Sequence, residues 1–348
     1  MTATTSQGSQ QTPAAGAGAE SGGGTAPAPL PHNRLGINYR AVPARRIEVP
    51  IIDVHTHTYN VEHTRGFLEA ADAYGIREIW TMAPLEDVDA FQQHFPGRFH
   101  FIAVPKWQDA GPTEAFVTDW MKRLDGFYEK GSRLAKFHLS PGTRKRSGLD
   151  LNHPLLQRVV RHAYTLGFHF MTHVGDPKAW FAPRARYADV AQYGTFESQF
   201  EMLDRMLEQF PDRVHMGAHM GGSLEDLDAL ERRLERFPHY SLDSSATKWI
   251  VRAIAQQDPD RVRAFLIRQQ NRVMFGSDLV VGDKYGFDHY ASRYWTHLMQ
   301  WESDIIGESP IEDPDAAEGR PQLRGLDLPE SVLRKMYREN ALGFLPWT

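Results

Sequence analysis

The 348-residue chain contains no cysteine. Disulfides and thiolate metal sites are both excluded, so any metal must be held by imidazole and carboxylate groups. The absence also fits a reducing compartment, and a cytoplasmic protein is the expectation. A basic excess is missing as well. The 39 Lys and Arg face 44 Asp and Glu, for a formal charge of −5, which speaks against a nucleic-acid partner. No apolar run reaches the length of roughly 18 residues that a membrane helix needs, so no membrane partner is expected. The opening stretch holds no large apolar side chain between Met1 and Leu30, and no Arg precedes Arg34. Neither a secretory signal nor a transit peptide is therefore expected. The Ala, Gly, Ser, Thr, Gln and Pro that fill it cannot build a core, and residues 1–35 read as a disordered, low-complexity tail.

From residue 47 onward, short apolar runs alternate with helical patterns, the sequence form of repeated βα units. The runs are VPIIDVH (49–55), IREIWTM (76–82), RFHFIAV (98–104), SRLAKFH (132–138), GFHFMTH (167–173), RVHMGAH (213–219), HYSLDSS (239–245) and RVMFGSD (272–278). Stretches such as EAFVTDWMKRLDGFYEK and SLEDLDALERRLERF lie between them, the latter opening on Ser223 as a candidate N-cap. Eight strands, each followed by a helix, predict an α/β fold: a single-domain (β/α)8 TIM barrel over 47–348, favoured over an open doubly wound sheet. The Pro-rich, acidic segment 307–328 interrupts the pattern and reads as a solvated surface excursion in preference to a lid. A last helix is expected near 329–340.

The first run leads into IIDVHTHTYN. Residues two apart in a strand share a face, so Asp53, His55 and His57 are expected to project together. Two imidazoles roughly 6–7 Å apart at the strand base can converge on one cation. With 16 His in the chain an H-x-H pair is weak by itself, and its value comes from its place at a strand end. His173, His219 and Asp278 each end a later run, where a βα loop begins and where barrels carry their catalytic groups. Gly217 and Gly276 lie two residues below His219 and Asp278, which keeps the inward layer beneath them small. Lys136 and His138 share a face of the fourth run, and a Lys aimed into a barrel is costly when charged and unpaired.

D-x-H-x-H on the first strand, His on the fifth and sixth and Asp on the eighth resemble the amidohydrolase superfamily. FHFMTHVGD, HMGAHMGGS, MFGSD and the closing NALGFLP resemble, more narrowly, the amidohydrolase-related group that includes aminocarboxymuconate-semialdehyde decarboxylase. The resemblance spans roughly residues 49–346. It implies His55, His57 and His173 as metal ligands, and Asp278 as a ligand or as the base that takes a proton from water. It implies that His219 polarises the substrate carbonyl or orients the nucleophile, unless a second metal takes it. Lys136 would join the ligands if carboxylated, bridging two metals as in many superfamily members; decarboxylase-like members hold one metal without that bridge. Zinc is the first choice for such nitrogen and oxygen ligands, with Mn, Fe and Ni compatible by ligand type. A cation so held keeps an open position for water and lowers its pKa from 15.7 toward about 7.

Basic and aromatic residues follow the strands. Lys106 and Trp107 come after the third, Arg144, Lys145 and Arg146 after the fourth, Trp180, Phe181, Arg184 and Arg186 after the fifth, and Lys248 and Trp249 after the seventh. Lys106, Trp107, Arg144, Arg146, Trp180 and Lys248 are the candidate substrate contacts, and together they point to an anionic substrate with a flat or ring-shaped body. The expected function is hydrolysis of a small anionic lactone, ester or amide by a metal-activated water. The alternative is metal-dependent, non-oxidative decarboxylation of an aromatic or unsaturated acid, which uses the same ligands. A non-catalytic metal-binding sensor on the same barrel would be marked by loss of Asp278, which is present. The expected partner is a small molecule; its identity, and whether the chain forms a homo-oligomer, do not follow from the sequence.

Overall fold

The computed structural model describes residues 30–345. Each of the eight apolar runs becomes strand. β1 (Ile51–His57), β2 (Ile76–Met82), β3 (Phe99–Ala103), β4 (Leu134–His138), β5 (His169–His173), β6 (His215–Gly217) and β7 (Tyr240–Asp243) pair in parallel, each with the next. The eighth run supplies β8 (Val273–Met274), which pairs with β7, and the two residues just past it form β9 (Leu279–Val280), which pairs with β1. One stretch of chain thus begins and ends the sheet, and the sheet closes into a (β/α)8 barrel. The seam is continuous: the amide of Val54 donates to the Phe275 carbonyl (2.9 Å), that of Asp278 to the His55 carbonyl (2.8 Å) and that of Val281 to the His57 carbonyl (2.8 Å).

Helices cover the outside, and their sequences show why they form and where they stop. Pro154–Leu166 starts on a Pro at its first turn, buries Leu156, Val159, Val160 and Ala163 at helical spacing, and ends at Gly167 in the left-handed conformation. β5 follows within two residues. Thr113 caps Glu114–Glu129 by accepting from the Phe116 amide. The helix after β6 starts later than Ser223 suggested: Asp226 accepts from the Ala229 amide and caps Leu227–Arg236. The last helical stretch runs from Glu330 to Phe344 through a π-turn at Lys335–Glu339. Among the described residues no helix is long and apolar enough to cross a membrane.

Two expectations about irregular segments need revision. Residues 1–29 of the expected tail lie outside the described residues, but 30–35 are held in place. Arg34 donates its amide to the Pro310 carbonyl (2.8 Å), and Glu312 donates its amide to Pro31 (2.8 Å). The segment 307–328 is likewise not a solvated excursion. It contains an antiparallel pair, β10 (Ile306–Glu308) with β11 (Gln322–Arg324), and buries Ile311, Leu323, Leu326 and Leu328. Its acidic residues mask that apolar set. Asp313 forms an ion pair with buried Arg252 of helix Thr247–Ala255, which anchors the segment to the barrel.

Candidate metal centre

β1 delivers both histidines of the H-x-H pair to the open end of the barrel, their ring centroids 5.7 Å apart. The seam brings Asp278 to them. Its Oδ1 lies 3.4 Å from His55 Nε2 and 3.2 Å from His57 Nε2. Bonds of about 2.1 Å to one tetrahedral cation separate its ligands by about 3.4 Å. Each histidine thus already stands from Asp278 at the edge length a single ion imposes, and all three ligand atoms lie within 4.8 Å of one another. The donor set, two imidazoles and a carboxylate, fits a borderline divalent cation such as zinc. His57 and Asp278 retain 27% and 29% side-chain exposure while His55 is buried, so the cluster is open to the barrel mouth on one side.

Behind His55 stands Asp243, at the end of β7 and fully buried. Its Oδ2 is 2.8 Å from His55 Nδ1. Its Oδ1 accepts from the amides of His219 (2.9 Å) and Ser245 (3.0 Å) and from the Ser245 hydroxyl. Burial pushes the Asp243 carboxyl up, but His55, His219 and Lys136 outweigh it and hold the group below the usual carboxylate range. Asp278 follows the same pattern: burial raises it, while His55, His57 and Lys136 prevail and keep it ionised. An anionic Asp243 fixes His55 as the Nδ1–H tautomer, with the Nε2 lone pair toward Asp278. The H-x-H pattern did not reveal Asp243. Its position at the end of an apolar run, like Asp278, was the available signal, obscured by the polar DSS that follows Leu242.

Lys136 points into this cluster from β4, Nζ 3.4 Å from His55 Nε2, and is buried. Desolvation lowers its pKa to about 8 against the opposing pull of Asp243 and Asp278. His219 follows β6, with Nδ1 2.8 Å from Ser245 Oγ. Burial first, then His173 and His55, depress its pKa far below the ordinary value, so the ring is neutral. The left-handed backbone of His219 (φ 57), Ala246 (φ 64) and Asp278 (φ 59) marks the loops after β6, β7 and β8. Non-glycine residues adopt it at a cost, and such outliers cluster at functional sites. The small layer beneath is real: a Cβ on Gly217 would come within 1.9 Å of the Tyr240 hydroxyl, and one on Gly276 within 3.1 Å of His55 Cβ.

Two expected members are placed differently. Asp53 does not join the histidines, because β1 changes register between Asp53 and Thr56. Its carboxylate accepts from the Ser277 amide (3.0 Å) and hydroxyl (2.6 Å) and from Tyr294 (3.1 Å). Burial pushes its pKa up to about 7, against those hydrogen bonds. His173 reaches the mouth, stacked on His138 at 4.6 Å and edge-on to His219 at 4.5 Å. Its Nε2, however, lies 2.8 Å from Asp176 Oδ1, and Asp176 also accepts from Tyr187 (2.6 Å). The ligand atoms within 4.8 Å of one another are those of His55, His57 and Asp278, and in a second group those of His55, His219 and Asp243; neither includes His173.

Cavities surround the cluster. One of about 530 Å³ is walled by His57, Tyr59, Trp107, His138, Thr143 and Arg146. A neighbour of about 350 Å³ adds Lys106, which sits 3.4 Å from Glu86. A third, of about 280 Å³, runs from Asp278 to Lys248 and Trp249. Trp180 stands behind Trp249, ring centroids 5.3 Å apart, with its indole N–H on Asp315 (3.1 Å). Arg144 has its guanidinium engaged by the Leu139 and Tyr193 carbonyls and by the Gln199 side chain. It braces the loop, which corrects the expectation of a substrate contact there.

Residues 45–347 match the model of a family described as amidohydrolase. No curated protein matches the chain. Among solved structures it is similar to 4-oxalomesaconate hydratase from Rhodopseudomonas palustris, at 13% identity and a TM-score of 0.49, covering 85% of this chain and 95% of that one. It is also similar to an amidohydrolase from Burkholderia multivorans with bound zinc, at 12% identity and a TM-score of 0.47, covering 85% of this chain and 98% of that one. Both likenesses concern architecture alone.

Proposed function

The chain belongs to the amidohydrolase family, and from that premise we propose that it hydrolyses a small anionic lactone, ester or amide with the help of one divalent cation, zinc in the first place. His55, His57 and Asp278 would hold the ion. The observation that carries this reading is that both imidazoles approach one Asp278 oxygen, at 3.2 and 3.4 Å, with all three ligand atoms within 4.8 Å of one another and Asp243 fixing the His55 tautomer from behind. When bound there, a divalent cation supplies Lewis acidity to a substrate oxygen and acidifies water.

The protein's own residues divide the remaining work. Asp278 is ionised and partly exposed to the mouth, so it can take the proton of the attacking water. His219 orients that water. Ser245 gives its hydroxyl proton to Asp243 and therefore accepts from His219 Nδ1–H, which leaves His219 Nε2 as a lone pair. A neutral ring with a bare nitrogen accepts a hydrogen bond from the nucleophile; it does not polarise a carbonyl. Trp107 and His138, edge to face, supply an aromatic corner for the substrate body, and Arg146 adds positive charge beside it.

The test pairs metal analysis of purified protein with a panel of lactones, esters, amides and aromatic acids, read by mass spectrometry. Incorporation of one oxygen from labelled water into the product supports hydrolysis. Release of carbon dioxide with no labelled acid would replace it by decarboxylation at the same ligands.

A further inference from the structure

Three cationic or donor side chains meet on the β7–β8 side of the mouth, away from Arg146. Lys248 comes from the helix after β7, and His289 and Arg293 from helix Phe287–Glu302. They line the 280 Å³ cavity whose opposite wall carries Ser277 and Asp278. Arg293 donates one nitrogen to the His289 carbonyl (3.0 Å) and the Ser292 hydroxyl (2.9 Å), both in its own helix. Among the described residues neither Arg293 nor Lys248 has a carboxylate within ion-pair distance. The titratable groups that act most on Arg293 are the phenols Tyr39 and Tyr285, neutral at ordinary pH, and desolvation brings its pKa down to about 10.

Such an arrangement is unusual by its energetics. A half-buried guanidinium without a counter-ion loses hydration and recovers little. Elsewhere the same chain pairs buried Arg252 with Asp313, and buried Arg123 with Glu86 through two hydrogen bonds of 2.8 and 2.9 Å. It satisfies half-buried Arg144 and Arg272 with carbonyls of other segments, an option Arg293 lacks beyond its own helix. His289 stacks on Tyr285, centroids 3.7 Å apart, and makes a flat side to the cavity. Burial, then Arg293 and His32, drive its pKa down to about 3, so it is neutral and leaves Lys248 and Arg293 as the cations of this wall. Asp313, Glu312 and Asp315 act on Lys248 only from beyond ion-pair distance. Asp288 and Asp283 on the neighbouring loop and helix are exposed and are not in ion-pair contact with Lys248 or Arg293. The missing partner is a negative charge that arrives with the substrate.

We propose that this pocket, with Arg293 and Lys248 as its anchors and the Tyr285–His289 pair as its side, binds a carboxylate of the substrate while the scissile acyl group lies at Asp278. The proposal rests on the hydrolase reading and narrows it to acids that carry a lactone, ester or amide at a distance from their carboxylate. Water's oxygen forms a bond to the acyl carbon, the acyl C–O or C–N bond breaks, and the leaving oxygen or nitrogen receives a proton. The acyl half leaves as a dicarboxylate, one carboxylate new at the metal side and one already in the pocket.

Glutarate serves as a product-like probe, with its diamide as neutral control, in calorimetric titrations of metal-loaded and metal-stripped full-length protein. Glutarate is expected to bind the loaded protein. Arg293→Gln and Lys248→Gln should each weaken it about tenfold or more, the loss of a charged hydrogen bond, while Arg293→Lys recovers most of the affinity. The diamide should be indifferent to all three changes. Thermal unfolding checks that each variant is folded, and Lys248→Gln removes a side chain with no hydrogen bond, so it tests the pocket even if Arg293→Gln is unstable. Unchanged glutarate affinity in Lys248→Gln and in a folded Arg293→Gln or Arg293→Lys overturns the proposal. Its failure separates from that of the hydrolase reading. Arg293-dependent glutarate binding to the metal-stripped protein, with no hydrolysis of any acyl substrate, sinks hydrolysis and keeps the pocket. Hydrolysis with KM unmoved in both Gln variants does the reverse.

Discussion

His55 and Asp243 meet at 2.8 Å across 188 positions of sequence, both fully enclosed, and the contact decides which nitrogen His55 turns to the mouth. Replacing Asp243 with Asn offers an amide that can present its N–H instead and allow the wrong tautomer. Asp243→Asn is expected to weaken metal binding by about 10–100-fold while the barrel stays folded. A competition titration against a chelator reads this directly, and unchanged affinity would remove Asp243 from the site.

Asp278 sits on the same ion but has a second task. Asp278→Asn keeps an oxygen for the metal and loses the proton acceptor. Turnover should fall by at least about 100-fold, with KM much less affected. Near-normal kcat would assign the proton to another group, with His219 the first to examine.

Metal count turns on Lys136. Its ammonium stands 3.4 Å from His55 Nε2 and is drawn toward two carboxylates, Asp243 and Asp278. That is the neighbourhood of an uncarboxylated, cationic Lys, and it leads us to expect about one metal per chain and no effect of bicarbonate on reloading. Mass-spectrometric detection of a carboxylated Lys136, or two metals per chain with one lost in Lys136→Ala, would establish the binuclear form.

Arg144 and Arg146 should behave oppositely although they lie two residues apart. Arg146 lines the cavity beside His57, so Arg146→Ala should raise KM several-fold for an anionic substrate, an effect that added salt diminishes. Arg144→Ala instead removes hydrogen bonds to Leu139, Tyr193 and Gln199 and should cost about 1–3 kcal/mol of stability with KM unmoved once the protein is folded. Steady-state kinetics beside thermal unfolding separates the two.

Acid should destabilise the protein through its buried histidines, among them His215 and His297 in the core. Burial lowers the pKa of His215 and of His297 from 6.5 to about 3. Between those values the unfolded chain binds protons that the folded chain refuses, so stability falls as pH drops from about 6.5 toward 3. Unfolding of metal-stripped protein across that range avoids the contribution of metal release, and His215→Gln and His297→Gln single out these two rings. A flat midpoint down to pH 4 would mean that these rings take up protons without disrupting the core.

What the sequence disclosed and what it hid follow from the range of the interactions. Period-two apolar runs ending in His or Asp are local, so the barrel and the positions of His55, His57, His219 and Asp278 were legible. The bend that takes Asp53 out of line is a register change against β2, and no pattern within β1 announces it. Asp176 was in view within FHFMTHVGD, but its claim on His173 depends on how the loop after β5 returns. Arg144 and Arg146 looked equivalent as loop charges; in helix Pro141–Ser147 residues two apart point to different sides, and only one side meets the cavity. Arg293 lay hidden because it is one of several polar residues in a long aromatic helix, and its lack of a counter-charge is a property of distant neighbours.

The break between β8 and β9 gives the barrel a lacing that runs through its chemical centre. A cylinder of strands can be joined anywhere along its circumference; this one is tied where Asp278 hands its amide to His55 and its carboxylate to both histidines. The peptide that keeps the cylinder round is also the peptide that aims the carboxylate. A replacement chosen there to tune reactivity will register in the tension of the whole hoop, whereas Trp107, Thr143 and Arg146, which line the mouth from loops and a helix outside the lacing, are free to change and take new substrates.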